Sequence, residues 1–323
     1  MNQPLISVIT PARNAEKYLG SCLDGVRAQT WENVEHVVVN DGSTDRTGAL
    51  LDLYADELTV VHSTGEGVSA ARNRAVAASR GEYIALCDAD DVLLPRHLET
   101  AMAKLSQGDR AFVTCDAYLL TTGGFDPKRT VLPWGSVPGK LHRLGILEAN
   151  FVSIFTVMPR AMWDELGGMS TSLRYNEDWD LWMRAIHAGW EMRIQAKPEA
   201  MYRWTPGSAM TNVDKVIEAE DRMMETFLAE HADTLQPDEL DYVNRRIKDG
   251  NPRVVARRGD DALREGDYAT ARESFNEAAL LLPHDRKVQA KAASMRLVPP
   301  TARLWQRRLL HADRATGRDV HER

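Results

Sequence analysis

Two apolar runs near the start of the chain each stop at carboxylates: Val37-Val38-Val39-Asn40-Asp41 and Tyr83-Ile84-Ala85-Leu86-Cys87-Asp88-Ala89-Asp90-Asp91. Short, unbroken apolar runs suit strands buried on both faces, and in a parallel sheet such strands finish on one shared edge. Open α/β sheets receive their ligands at that edge. A rim of carboxylates repels a phosphate ligand unless a divalent cation stands between them, and Asp88 to Asp91 offer hard oxygen donors for one.

From Leu5 to Tyr118 short apolar runs alternate with helix-like stretches, the pattern of repeated βαβ units around a mostly parallel sheet. The expected strands are Leu5 to Thr10, Val34 to Asn40, Leu58 to His62, Glu82 to Asp88 and Ala111 to Tyr118. The expected helices are Ala15 to Gln29, Asp45 to Ala55, Val68 to Arg80 and Pro95 to Gln107, with Pro95 suited to a first helical position. Asp45 is placed to cap its helix. Regularity weakens from Gly123 to Gly145, a Gly- and Pro-rich stretch around Trp134 that reads either as a functional loop or as plain surface. Phe151 to Met158 and Arg160 to Leu166 restore order. A helix then runs from about Asp178 to Ala188, whose Trp179, Trp182, Met183 and Ile186 recur at helical spacing and belong to a core.

After Tyr202-Arg203-Trp204 the strand pattern disappears, so residues 1–210 form the expected α/β domain and 211–323 an all-α extension. Within the extension, Ala262, Gly266, Tyr268, Ala271, Phe275, Ala278 and Pro283 follow the small and aromatic spacing of a tetratricopeptide hairpin, over about 255–296. One such repeat cannot bury its own face, which makes it a packing appendage or the start of a homodimer contact. The basic tail, 297–323, carries Arg303, Leu304, Trp305, Arg307, Arg308, Leu309, Leu310 and Arg314. It reads as a helix packed on the protein with an arginine face in solvent, or as one resting on an anionic membrane.

A net charge of -7 gives nucleic acid no electrostatic reason to bind. The 3 cysteines, Cys22, Cys87 and Cys115, are widely spaced and odd in number, which suggests neither a disulfide framework nor a zinc site and fits a reducing compartment. The N-terminal residues lack a signal-peptide pattern, and no apolar run reaches the roughly 18 residues of a membrane span. The expectation is a cytoplasmic protein, with peripheral contact at the inner membrane face left open.

The motifs also come in a telling order. Thr10-Pro11-Ala12-Arg13-Asn14 with Tyr18-Leu19 is followed by Val39-Asn40-Asp41-Gly42-Ser43-Thr44-Asp45, then Ser69-Ala70-Ala71-Arg72-Asn73, Asp88-Ala89-Asp90-Asp91 and Glu177-Asp178-Trp179-Asp180-Leu181-Trp182. Over about the first 210 residues this resembles a family 2 glycosyltransferase of the GT-A fold. The resemblance implies an inverting, metal-dependent enzyme. It would move a sugar from a nucleoside diphosphate donor, with UDP the preferred nucleotide, to a hydroxyl of a polysaccharide, glycolipid or natural product.

The same resemblance assigns roles. Asp41 binds the base of the nucleotide, Pro11 and Ala12 pass their backbone beside it, and Arg72 lies near base and phosphates. Asp88 contacts the ribose. Asp90 holds Mg²⁺ or Mn²⁺, with Asp91 either a second contributor or a cap for the Pro95 helix. Asp178 is the base that takes the acceptor proton, kept ionised by its position at a helix start. Glu177 orients Asp178 or binds acceptor, and Trp134 is a candidate acceptor contact. Many family members carry a metal-binding histidine after the final strand; here that place holds Thr205, so the metal is expected either to rest weakly on Asp90 and phosphates alone or to take a different third ligand.

Two rivals remain. A degenerate transferase domain with the helical extension could serve as a non-catalytic interaction scaffold. Gly65, Gly67 and Ala70 match a dinucleotide fingerprint in spacing but follow the third expected strand rather than the first, which argues against a nicotinamide enzyme.

Overall fold

The structure is a computed structural model. It describes residues 3–121, 124–131, 142–195, 197–204, 213–283, 285–297 and 303–310. These fall into two compact units, one within 1–134 and 149–219, the other within 135–148 and 220–323.

The first unit is α/β. Its opening segment runs β1 (Ile6–Ala12), α1 (Leu19–Arg27), β2 (Val34–Asp41), α2 (Thr47–Asp52), β3 (Thr59–Ser63), α3 (Val68–Ala78) and β4 (Tyr83–Leu86). β1 is buried at every position, as a strand covered on both faces must be. It pairs in parallel with β2, Ala12 opposite Asn40, and with β4, Ile9 opposite Leu86. The acidic ends of β2 and β4 therefore flank the end of β1, as the apolar runs predict.

Beyond β4 come β5 (Val92–Leu93), α4 (His97–Met102), β6 (Ala111–Thr114), β7 (Ala117–Thr121) and β8 (Gly124–Thr130), and then in chain order α5 (His142–Glu148), which belongs to the second unit. They are followed by β9 (Thr156–Pro159), α6 (Arg160–Leu166), α7 (Glu177–His187), β10 (Glu191–Ile194) and β11 (Ala200–Arg203). The large sheet has seven strands in the order β10-β6-β9-β4-β1-β2-β3, and a four-stranded sheet has the order β5-β11-β7-β8. β9 is antiparallel to both its neighbours. The α7 tryptophans, Trp179 and Trp182, are buried, and Trp182 stacks on Phe112 of β6 with ring centroids 5.5 Å apart.

Several local expectations are corrected. The run Ala111 to Tyr118 is not one strand: β6 joins the large sheet and β7 the small one. At the break, Asp116 Oδ1 accepts from the N–H groups of Ala117 and Val131. The helix after Pro95 spans only His97–Met102, and the Pro95 carbonyl instead accepts from the Thr30 N–H. Asp91 is buried in the turn before β5 and does not cap that helix. α1 starts at Leu19 because Ala15 and Glu16 send their N–H groups to Thr47 Oγ1 and Asp45 Oδ2. Asp45 does take a helix-start N–H, that of Thr47, from one residue outside the Arg46 cap position.

The described residues of the second unit are helical. α8 (Val213–His231), whose residues up to Ala219 are counted with the first unit, leads into α9 (Pro237–Asp249), α10 (Pro252–Glu265), α11 (Tyr268–Leu281) and α12 (Arg286–Leu297). The starts are well capped: Gln236 and Glu239 form a capping box on α9, Asn251 accepts from Arg253 N on α10, and Asp267 accepts from Ala269 N and Thr270 N on α11. α10 and α11 form the expected hairpin, closely apposed because Gly259 leaves room for the Phe275 ring. The face that a single repeat leaves open is covered locally: Ala292 and Met295 of α12 join Ala262, Leu263, Ala271 and Phe275, with Trp305 and Leu309 against them. In the basic tail, the helical stretch 303–310 thus follows the packed reading, and Trp305 Nε1 donates to Ser294 Oγ at 2.9 Å. Among the described residues no helix is long and apolar enough to cross a membrane.

Candidate active site

The end of β2 delivers Asp41 into a ring of donors. Its Oδ1 accepts from Ser63 Oγ at 2.6 Å and Glu66 N at 2.9 Å, and its Oδ2 from Gly67 N at 2.8 Å. Burial works against the charge, but these bonds win and hold the carboxyl below its usual range. Asp41 thereby folds the 63–67 loop against the strand end. Gly42 makes this approach feasible: at φ 67°, a Cβ there would sit 2.8 Å from the Gly65 nitrogen. Pro11 and Ala12, buried at the end of β1, stand beside Val39 and Asn40 on β2.

The end of β4 turns sharply, with Asp91 N donating to the Asp88 carbonyl at 3.0 Å. Asp91 is buried; its Oδ1 accepts from Arg203 N at 2.7 Å, and its Oδ2 has no partner. Burial, then the charges of Asp90 and Asp88, push its carboxyl well up. Burial and Asp88 likewise push Asp90 up to about 6, against the pull of Arg203 and Arg72. Arg203, at the end of β11, donates Nε to the Asp90 carbonyl at 2.7 Å and stacks 4.3 Å from the centre of the Tyr18 ring.

Arg72, on the first turns of α3, joins this turn to the start of α7. One arm of its buried guanidinium donates to Asp88 Oδ1 at 2.6 Å and the other to Glu177 Oε1 at 2.8 Å. Burial would lower its pKa, but the two carboxylates raise it instead. The neighbouring Asn73 bonds Met169 in both directions, through Nδ2 to the carbonyl and through Oδ1 from the N–H, which fixes the turn after α6. Asn176 enters α7 at φ 61°, a left-handed conformation that Asn tolerates.

Asp178 is half-buried next to Glu177. Its Oδ1 accepts from Trp179 N at 2.8 Å and its Oδ2 from Asn150 Nδ2 at 3.1 Å. The expectation that the helix start keeps this carboxyl low is not met. Burial and Glu177 push it up to about 7, outweighing Arg72, the Trp179 N–H and Asn150. The phenol of Tyr202 on β11 is pushed up by burial and by the charges of Asp91, Asp88, Asp90 and Asp178. One side chain thus feels both the β4 turn and the α7 start, which lie within electrostatic reach of the same phenol.

The arrangement gathers Asp88, Asp90, Asp91, Arg72, Glu177 and Asp178, with Asp41, Pro11 and Ala12 one strand away. Trp134 and Thr205 lie outside the described residues. Sequence reading missed Asn150, Tyr202 and Arg203; only Asn150 carried a local signal, as a turn-forming residue before an apolar run. For a divalent cation the chemistry fits. Asp91 Oδ2 is an orphaned buried acceptor, and burial and Asp88 penalise the charge of Asp90 more than Arg203 and Arg72 favour it. Among the described residues no group of three or more His, Cys, Asp or Glu forms a ready metal cage. A hard cation would therefore need ligand oxygens beyond the protein, as Mg²⁺ and Mn²⁺ at phosphate sites do.

Residues 7–167 match the family model "Glycosyl transferase family 2". The glycosyltransferase YibD of Escherichia coli K12 is 32% identical over 146 residues, 44% of this chain and 41% of that one. The glycosyltransferase GlyG of Streptococcus pneumoniae is 34% identical over 118 residues, 35% of this chain and 39% of that one. The chain thus spans about two fifths of the length of these relatives. Among solved structures, the mannosyltransferase PcManGT of Pyrobaculum calidifontis in complex with GDP-Man and Mn²⁺ superposes with a TM-score of 0.61 at 19% identity, covering 99% of this chain and 88% of that one. S. aureus TarS 1–349 in complex with UDP-GlcNAc superposes with a TM-score of 0.57 at 17% identity, covering 98% and 93%. At these identities the likeness is one of fold, and the fold is GT-A.

Proposed function

The chain belongs to glycosyl transferase family 2 through residues 7–167, and from that premise we propose that it transfers a sugar, with inversion, from a nucleoside diphosphate donor to an acceptor hydroxyl. The observation that carries this reading is the Arg72 fork, which ties the Asp88 turn to the α7 start that bears Asp178. The donor-side Asp88 and Glu177, which precedes Asp178, are thus held on the two arms of one guanidinium.

In this reading Asp41, Pro11 and Ala12 line the base, and Asp88 meets the ribose. Asp90, with the free oxygen of Asp91, would hold Mg²⁺ or Mn²⁺, which offsets the charge of the diphosphate when bound. Asp178 accepts the proton of the acceptor hydroxyl while that oxygen bonds to the anomeric carbon from the side opposite the diphosphate. The bond from that carbon to the diphosphate oxygen breaks, and its electron pair leaves with the nucleotide. A carboxyl that titrates near neutrality suits a base at physiological pH. Glu177, bonded to Arg72, sets the position of the α7 start. UDP is the preferred nucleotide and a polysaccharide, glycolipid or natural-product hydroxyl the acceptor class. The buried free thiols of Cys22, Cys87 and Cys115 agree with action in the reducing cytoplasm.

The test is turnover of a panel of UDP-, dTDP- and GDP-sugars with Mn²⁺. Asp178→Asn and Asp90→Asn should each lower the rate by about 10²–10⁴-fold, with thermal unfolding still cooperative. Normal turnover by Asp178→Asn overturns the assignment of the base. Absence of calorimetric binding by every donor favours the scaffold reading.

A further inference from the structure

Asn150 stands outside every motif that marks the family resemblance, yet its side chain reaches the proposed base. The segment that carries it is rigid. Ser153 Oγ donates to the Cys115 carbonyl at 2.6 Å, Ser153 N donates to Thr114 Oγ1 at 3.2 Å, and Thr156 Oγ1 donates to the Ser153 carbonyl at 2.8 Å. Residues 151–155 are all buried. Asn150 is therefore held against the end of β6 by bonds on its C-terminal side.

The orientation of its amide is fixed as well. Asn150 Oδ1 accepts from Val152 N at 3.1 Å, so the carbonyl end is engaged with the backbone. Turning the amide over would lose that bond and set a carbonyl against a carboxylate. The Nδ2 end must face Asp178, and it lies 3.1 Å from Oδ2. Oδ1 of the same carboxylate accepts from Trp179 N at 2.8 Å. Two donors on two different oxygens fix both the plane and the rotation of the group.

We propose that Asn150 is a positioning residue for the Asp178 base: its amide sets the direction in which the carboxylate presents its remaining lone pairs to the acceptor hydroxyl. The proposal rests on the reading of Asp178 as that base. An amide N–H can only donate, so it also favours the charged carboxylate over the neutral acid. The other groups facing Asp178 are Glu177 on its own helix, Arg72 from α3 and Tyr202 from β11. Among the described residues the side chains that chiefly favour its charge are Arg72 and Asn150, and Arg72 already bonds two other carboxylates.

The experiment compares Asn150→Asp and Asn150→Ala with the unaltered chain. Asn150→Asp keeps the oxygen that Val152 uses and so keeps the turn, but replaces the donor with a second negative oxygen. The acid limb of its kcat profile should move up by about one pH unit or more, and that of Asn150→Ala by a fraction of a unit. Donor KM should stay within about twofold, since the donor-side groups are untouched. The titration of Asp178 followed by carboxyl ¹³C NMR should shift in the same sense whether or not the variant turns over. A purely structural role would lower the rate equally at all pH values, and an unmoved limb and unmoved titration in Asn150→Asp overturn the proposal. Asp178→Asn is measured alongside. Normal turnover there defeats the base reading itself; loss of turnover there with an unmoved Asn150→Asp limb defeats only the role of Asn150.

Discussion

Arg72 and Glu177, 105 positions apart in sequence, meet at 2.8 Å with the guanidinium side chain only 3% exposed. The other arm of the guanidinium takes Asp88 at 2.6 Å. Removing Arg72 would leave both carboxylates facing each other without a counter-charge. Arg72→Ala is expected to cost about 3–5 kcal/mol, the usual penalty for breaking a buried pair. Arg72→Lys should fall between, because an ammonium lacks the planar fork that reaches two partners at once. Urea unfolding of both variants checks the order; equal stability of Arg72→Ala and the unaltered chain would show that the fork contributes nothing.

Activity and stability should respond to pH with opposite sign at Asp178. Its carboxyl, pushed up to about 7, is mostly protonated below that value and cannot accept a proton. The rate should therefore fall about tenfold per pH unit below the limb and level off above it. The folded state binds this proton more tightly than the unfolded one, so the contribution to stability is present at low pH and is lost as pH rises through about 7. Asp178→Asn should thus gain melting temperature relative to the unaltered chain at pH 8 and show little gain at pH 4. Melting scans at the two pH values decide it.

His36 sets an acid limit on the fold. It is buried on β2 with Nε2 2.9 Å from Thr10 Oγ1, and burial pulls its pKa down to about 3. The unfolded chain takes up this proton near pH 6.5, the native chain does not, so stability present above 6.5 is lost as pH falls towards 3. At pH 5 the loss is about 2 kcal/mol for this one group. His97, brought down to about 4 by burial, adds to it. Replacing His36 with Gln, which can still bond Thr10, should flatten the dependence between pH 6.5 and 5; an unchanged slope in pH-dependent urea titrations would refute the account.

In the helical unit the sharpest packing constraint is Gly259. A Cβ there would lie 2.9 Å from Cζ of Phe275, a ring that is itself fully buried. Gly259→Ala should destabilise this unit by about 1–3 kcal/mol despite the better helix propensity of alanine. Pairing it with Phe275→Leu should recover part of the loss, a non-additivity that a double-mutant cycle measures directly.

The positions of Asp41 and Asp88 are legible in the sequence because each follows an apolar run too short for a helix and too continuous for an exposed strand. The α7 core residues are legible through their spacing. The second sheet is not: β5 and β11 are two and four residues long, and they exist because partners distant in sequence hydrogen-bond to them. Asn150 is hidden for the same reason, since its segment is fixed through Ser153 by Thr114 and Cys115, which lie 39 and 38 residues before that serine. The charge state of Asp178 misleads at the sequence level, where a helix start is visible but Glu177 and the surrounding burial are not weighed against it.

The placement of β9 bears on how this protein emerges from a ribosome. It slots antiparallel between β4 and β6, so a nascent chain ending before residue 156 has made both of those strands but not the one that joins them. Each then presents unsatisfied main-chain groups along an apolar edge, the situation most prone to wrong pairing. The Asp88 turn exists at that stage, but the helix bearing Asp178 does not. Assembly of the acidic cluster therefore comes after the sheet gains β9, and the outer edge of β6 stays open until β10 (Glu191–Ile194) is made.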